Sequence, residues 1–329
     1  MGQLFSWFSR APAKSRLASK DLEGVAQYIA SGKCRNIVIM CGAGVYFSFD
    51  YGAGEVQCAE YQLKSGISRA AGIPDFRSQD GSRIHETNIL RESNVNVPRP
   101  QDIFTLSYFK KNPKPFYQVV SHLYGGAYRP TLTHSFIRLL ETKRVLNACW
   151  SQNVDDLERL AGVSSWRLIQ AHGSLDSQRC TTCNAKLDDR AMKRAVAAGE
   201  VPICQKRGCK GFVKPDVVFF GETLPLKFWL NLPFMKRADL LIVVGTSLAV
   251  PPFAFLADMV PKSCPRVVFN KESVWGIGGR ENDVQVLGDC DETVRRLAQL
   301  IGGNWEAELD ALWRETEHHV YRYKNNVTL

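Results

Sequence analysis

Apolar residues recur along the chain in two alternating rhythms. Short runs at Asn36 to Met40, Val145 to Trp150, Leu240 to Val244 and Arg266 to Phe269 have the length and composition of strands buried on both faces. Stretches of helical period lie between and around them. The first, Asp21 to Ser31, puts Leu22, Val25, Ala26 and Ile29 on one face and meets Gly32 as a stop. Near the end, a helix from Glu292 to Ile301 precedes Gly302-Gly303, and a second carries Trp305, Leu309, Leu312 and Trp313 at helical spacing. The alternation predicts an α/β fold: a Rossmann-like, doubly wound parallel sheet whose binding crevice is formed by the loops after the strands' carboxyl ends.

Those loops hold the polar residues. Gly42-Ala43-Gly44 follows the first run, Gln152-Asn153-Val154-Asp155 the second, Gly245-Thr246-Ser247 the third and Asn270-Lys271-Glu272 the fourth. Two stretches break the rhythm. Residues 79–126 contain no clear strand and read as a helical module with a loop, and residues 174–215 hold four cysteines. The expected organisation is a flexible basic tail over 1–20, one large folded domain over 21–315, and a loose tail over 316–329.

Bulk composition narrows the class. A chain of 329 residues, 45% hydrophobic, can bury one large core and a smaller module. There is no apolar signal-peptide core and no run of about 18 apolar residues, so the ten cysteines point to a reducing compartment. The net charge of +9 is spread along the chain and reads as a solvated surface, without sequence-specific nucleic-acid binding. Met1-Gly2-Gln3-Leu4-Phe5-Ser6 fits N-myristoylation at Gly2, with Arg10, Lys14, Arg16 and Lys20 as the second, electrostatic membrane signal. The rival readings are a mitochondrial transit peptide, from four basic residues, four serines and no acid in the first twenty, and a plain disordered tail.

Cys180-Thr-Thr-Cys183 and, after twenty residues, Cys204-Gln-Lys-Arg-Gly-Cys209 approach the paired spacing of a zinc ribbon, the second pair being wider than usual. Four thiolates leave no open position for water, so such an ion holds structure and does not hydrolyse. The alternative is four unrelated buried cysteines. Cys34, Cys41, Cys58, Cys149, Cys264 and Cys290 show no ligand spacing.

His172 ends the apolar run Leu168-Ile169-Gln170-Ala171 and is followed by Gly173, twenty residues after the Gln-Asn-Val-Asp loop. A neutral imidazole on that sheet edge suits taking a proton from a sugar hydroxyl near neutral pH, and Asn and Asp suit holding ribose and amide groups. The glycine turn lacks the full Gly-x-Gly-x-x-Gly and the later acidic residue of hydride-transferring enzymes, although its amides suit a pyrophosphate with Arg77 as cationic partner.

Omitting Val45 to Gly66 joins Gly44 to Ile67 and gives Gly-Ala-Gly-Ile-Ser-Arg-Ala-Ala-Gly-Ile-Pro-Asp-Phe-Arg-Ser. This resembles the NAD-binding signature of the sirtuins, the NAD-dependent protein deacylases. The segments Lys214-Pro215-Asp216-Val217-Val218-Phe219-Phe220-Gly221-Glu222, Gly245-Thr246-Ser247-Leu248 and Phe109-Lys110-Lys111-Asn112-Pro113 extend the resemblance over about 21–315, most closely to the cytosolic and mitochondrial deacetylase branch.

The resemblance implies a Rossmann-type large domain, an inserted zinc and helical domain, NAD as co-substrate, one structural zinc ion, and an acetylated protein entering between the domains. It implies that His172 activates the ribose hydroxyls, with Asn153 as second catalytic residue, giving lysine, nicotinamide and O-acetyl-ADP-ribose. Gly42, Ala43, Gly44, Ile67, Ser68, Asp75, Phe76 and Arg77 then match the cofactor loop, and Gln152, Asn153, Val154 and Asp155 the surroundings of the nicotinamide ribose. Gly245, Thr246, Ser247, Asn270, Lys271, Glu272 and Cys290 match the adenosine half. Val218, Phe219, Phe220, Gly221 and Glu222 match the strip that pairs with substrate by strand addition.

The chain departs from the pattern in two places. The 22-residue insert carries five aromatics and reads as a surface excursion, a regulatory lid, or translated intron. After Ser78, Gln79-Asp80-Gly81-Ser82 replaces the usual Pro-Gly-rich turn. The activity alternatives are ADP-ribose transfer to protein and an inactive zinc-bearing binding module. The expected location is cytoplasmic, with membrane-associated, nuclear and mitochondrial variants.

Overall fold

The computed structural model describes residues 15–42, 48–50, 57–60, 66–71, 73, 100–125 and 128–327. The expected acylation site Gly2 lies outside them. Six strands form one parallel sheet: β1 (Ile37–Cys41), β4 (Leu146–Ser151), β5 (Leu168–Gln170), β8 (Leu240–Val244), β9 (Arg266–Asn270) and β10 (Asp283–Leu287). β2 (Ser48–Asp50) pairs antiparallel with β3 (Gln57–Glu60), and β6 (Gly173–Cys180) with β7 (Val213–Val217).

The sheet order is β10-β9-β8-β1-β4-β5. From β1 the chain winds outward through β4 and β5, then returns to the other side of β1 with β8 and winds outward through β9 and β10. The crossovers after β1 and β8 therefore diverge, which opens a crevice at the carboxyl ends of those two strands.

Strand alternation builds two cores. Ile37, Ile39 and Cys41 of β1, Leu240, Ile242 and Val244 of β8, and Val267 and Phe269 of β9 face the helices Leu22–Ala30, Leu132–Thr142 and Cys290–Ile301. Val38, Met40, Leu241, Val243 and Val268 face the opposite layer, with Phe228, Met235, Phe253 and Leu256. A sheet covered on both faces explains the unbroken apolar runs.

A third core belongs to the small module. Phe109, Phe116, Tyr117 and Val120, from the helices Leu106–Lys111 and Lys114–Gly125, pack with Met192, Val196, Val213 and Phe219. The two stretches that broke the sequence rhythm thus share one interior. Its aromatic rings meet edge to face, Phe109 on Phe116 at 5.5 Å and Phe116 on Phe219 at 5.0 Å.

Contacts reach both margins of the described chain. Leu17 is buried, and Ser15 Oγ donates to Asn282 Oδ1 at 2.6 Å. At the other end one helix runs from Trp305 to Val327. Arg129 holds it, donating to the Trp313 carbonyl and pairing with Glu317 at 3.0 Å.

His134 is fully buried in the helix Leu132–Thr142, and its Nδ1 accepts from the Thr131 amide at 3.1 Å. Burial pushes its pKa down to about 3. Because the unfolded chain gains this proton near pH 6.5, the neutral ring's contribution is complete above pH 6.5 and is lost as pH falls toward 3. Urea unfolding at pH 7.5 and pH 5 should show about 2 kcal/mol less pH-dependent loss in His134→Asn than in the wild type. Equal losses would contradict this account.

Candidate active site and zinc centre

The predicted loops converge on one sheet edge. The Gln152 amide donates to the Cys41 carbonyl at 3.0 Å, and Thr246 Oγ1 donates to Gln152 Oε1 at 2.6 Å, tying the ends of β1, β4 and β8 together. Gly42 and Gly245 permit this closeness. A Cβ on Gly42 would lie 2.8 Å from Gln152 Oε1, and one on Gly245, whose φ is +61°, would lie 2.8 Å from the Ile67 nitrogen. The Ile67 amide donates to the Gly42 carbonyl at 3.2 Å. The intervening excursion therefore leaves and returns at one point, and the short helix Ile67–Ala70 starts on the crevice.

His172 follows β5. Its Nδ1 lies 3.0 Å from the Gln152 carbonyl, which can only accept, so Nδ1 carries the hydrogen and Nε2 is the basic nitrogen. The His172 carbonyl accepts from the Val218 amide at 2.8 Å. Gly173 makes that approach possible, since a Cβ there would stand 1.9 Å from the Asp216 carbonyl oxygen. The predicted peptide strip and the predicted base thus sit on adjoining backbone. Lys214, buried, pairs with Glu222 at 3.0 Å, and Glu222 accepts from the Phe219 amide at 2.7 Å, which fixes the turn after the strip.

The crevice wall carries unsatisfied groups. Asn153 Oδ1, Ser247 Oγ and Asn270 Oδ1 are buried without a hydrogen-bond partner among the described residues. Buried polar atoms are costly unless bonded, so three of them beside two close-approach glycines fit a polar ligand such as a dinucleotide. Asp155 accepts from Ser68 Oγ at 2.5 Å and from the Leu157 amide at 3.0 Å. Burial pushes its carboxyl up, and burial followed by the charge of Asp155 raises that of Glu158.

Cys290 is buried at a helix start and its thiol lies 3.4 Å from the Phe269 carbonyl, while Lys271 and Glu272 are exposed. Ala43, Gly44, Asp75, Phe76 and Arg77 lie outside the described residues.

In the small module the sulfurs of Cys180, Cys183, Cys204 and Cys209 lie within 4.8 Å of one another. Cys180 and Cys209 are 3.6 Å apart, as are Cys183 and Cys204. A tetrahedral ion bonded to sulfur at about 2.3 Å sets its ligands about 3.8 Å apart, so the four residues fit zinc. Amides of Thr182 and Lys206 point at the sulfurs of Cys180 and Cys204, at 3.3 and 3.4 Å, which favours thiolates.

The Sir2 family model matches residues 65–252. The chain belongs to the Sir2 family, the sirtuins. The NAD-dependent protein deacetylase hst2 of Schizosaccharomyces pombe is 43% identical over 297 residues, covering 90% of this chain and 80% of that protein. NAD-dependent protein deacetylase sirtuin-2 of Danio rerio is 38% identical over 349 residues (99% and 84%), and sirtuin-3 of Mus musculus 39% over 298 (90% and 80%).

Sequence reasoning missed two residues of this sirtuin's crevice. Gly66, assigned to the insert, directly precedes Ile67 and lies against Gly245, whose Cβ would be 3.1 Å from the Gly66 Cα. The family match starting at residue 65 is the signal that could have found it. Glu158 was the other. It stands on the one-turn helix Leu157–Leu160, fully buried, and accepts from Ser151 Oγ at 2.6 Å.

Cobalt substitution should give the ligand-field bands of a tetrahedral four-sulfur site, and Cys204→Ala should abolish metal uptake while loosening the small core. A metal-free chain with unchanged unfolding would contradict the zinc assignment.

Proposed function

We propose that this sirtuin is an NAD-dependent protein-lysine deacetylase, converting acetyl-lysine, NAD and water to lysine, nicotinamide and O-acetyl-ADP-ribose. The observation that carries the reading is the placement of His172 Nε2 chemistry, fixed through Nδ1 by the Gln152 carbonyl, in the crevice that holds the three unsatisfied polar atoms.

NAD, when bound, supplies the anomeric carbon that receives the acetyl oxygen as nicotinamide leaves. His172 takes the proton from a ribose hydroxyl, which its neutral form can do near pH 7. Asn153 is the second catalytic residue, and Gln152, Val154 and Asp155 surround the same ribose. Gly42, Gly66, Ile67 and Ser68 would bring backbone amides against the phosphates, and Ala43, Gly44, Asp75, Phe76 and Arg77 are read from the family motif as cofactor-binding. Gly245, Thr246, Ser247 and Asn270 hold the adenosine half, with Lys271 and Glu272 at its rim and Cys290 beneath. The strip Val218 to Glu222 receives acetylated protein as an added strand, beside the base that its backbone touches.

The catalytic domain is read as 21–315, extended by the ordered residues at each end. Gly2 is read as the acylation site of a cytoplasmic enzyme with membrane access; among the described residues no helix is long and apolar enough to cross a membrane.

The test is deacetylation of an acetyl-lysine peptide with and without NAD. The full chain should form O-acetyl-ADP-ribose only with NAD, and His172→Ala should lower kcat by about a thousandfold. Deacetylation without NAD, or an unaffected alanine variant, would overturn the reading.

A further inference from the structure

Glu158 sits where three pieces of the crevice meet. Its Oε1 accepts from Ser151 Oγ at 2.6 Å, from Cys41 Sγ at 3.3 Å and from Asn153 Nδ2 at 3.3 Å. Cys41 ends β1, Ser151 ends β4, and Asn153 belongs to the loop beyond. Ser151 Oγ also accepts from the Asn153 amide at 3.0 Å. One carboxyl oxygen therefore restrains Asn153 twice, directly at its side chain and through Ser151 at its backbone.

No basic side chain neutralises Glu158 among the described residues, and it shows no measurable exposure. A buried, unpaired carboxyl is costly in a core and calls for a function beyond packing. Its Oε2 lacks a partner, so a proton on the neutral acid would sit there, and Oε1 stays an acceptor in either charge state. An acceptor can face only the Nδ2 end of the Asn153 amide. That leaves the unsatisfied Asn153 Oδ1 as the atom offered to a ligand.

We propose that Glu158 is the positioning residue of the active site: it fixes the Asn153 amide so that Oδ1 accepts from the bound co-substrate. The proposal rests on the deacetylase reading, in which Asn153 touches that co-substrate. Without Glu158, the amide can rotate and Nδ2 loses its acceptor.

The test is a double-mutant cycle on the full chain, read as kcat, KM for an acetyl-lysine peptide and NAD affinity by calorimetry. Glu158→Ala should lower kcat about tenfold, the scale of one lost buried hydrogen-bond partner, with KM for peptide unchanged. Glu158→Gln, which retains an oxygen acceptor, should recover kcat to within about threefold. The pair Glu158→Ala, Asn153→Ala should be no slower than Asn153→Ala alone, because Glu158 acts through Asn153. Ser151→Ala repeats the cycle if Glu158→Ala does not fold, since it removes the backbone link only, and it too should add nothing to Asn153→Ala. Multiplying effects, an unaltered Glu158→Ala, or no recovery in the glutamine variant would overturn the proposal while leaving wild-type deacetylation intact. A wild type that neither binds NAD nor turns over would defeat the deacetylase reading and this proposal with it.

Discussion

Everything at the crevice depends on three stretches of backbone meeting without side chains between them. Gly42, the Gly66-Ile67 step and Gly245 approach so closely that a Cβ on Gly245 would fall 2.8 Å from the Ile67 nitrogen. The bond from the Ile67 amide to the Gly42 carbonyl closes this contact. With the ends of the excursion pinned there, its length costs only a logarithmic entropy, and its strand pair β2–β3 can form without spreading the turn. The segment between Gly42 and Gly66 therefore leaves and returns at this one edge of the crevice.

The same edge connects the large sheet to the small module. Gly173 lets β7 come close enough for the Val218 amide to bond the His172 carbonyl. A shift of the small module would therefore displace the segment after Val217 and His172 together. Phe219 and Glu222 of that segment are held by the aromatic cluster around Phe116 and by Lys214, in the module that carries the four cysteines. Four cysteine sulfurs would fill the tetrahedral shell of a zinc ion and leave no open coordination position for chemistry.

Much of this was readable from the chain because burial leaves a periodic trace. β1, β4, β8 and β9 are covered on both faces and appear as apolar runs; β5, at one sheet edge, left only the short run before His172, and β10, at the other edge and half polar, left none. The segment Ser15–Leu17 and the helix continuing past Thr316 escaped because partners distant in sequence hold them, Asn282 bonding Ser15 and Arg16, and Arg129 bonding Thr316. The loop residues Gln152 and His172 came from motif spacing and do meet, through the Gln152 carbonyl. Gly66 was hidden by a competing glycine at position 44. Glu158 reads as an ordinary surface acid on a helix; only the tertiary meeting of Cys41, Ser151 and Asn153 shows otherwise.

The most direct test of this account is calorimetric titration of the full chain with NAD, beside a shortened chain joining Gly42 to Ser65. The closed turn predicts that the full chain binds one NAD, with an affinity within about threefold of the shortened one, the small difference expected for a loop pinned at its ends. Binding that appears only after the excursion is removed would contradict it.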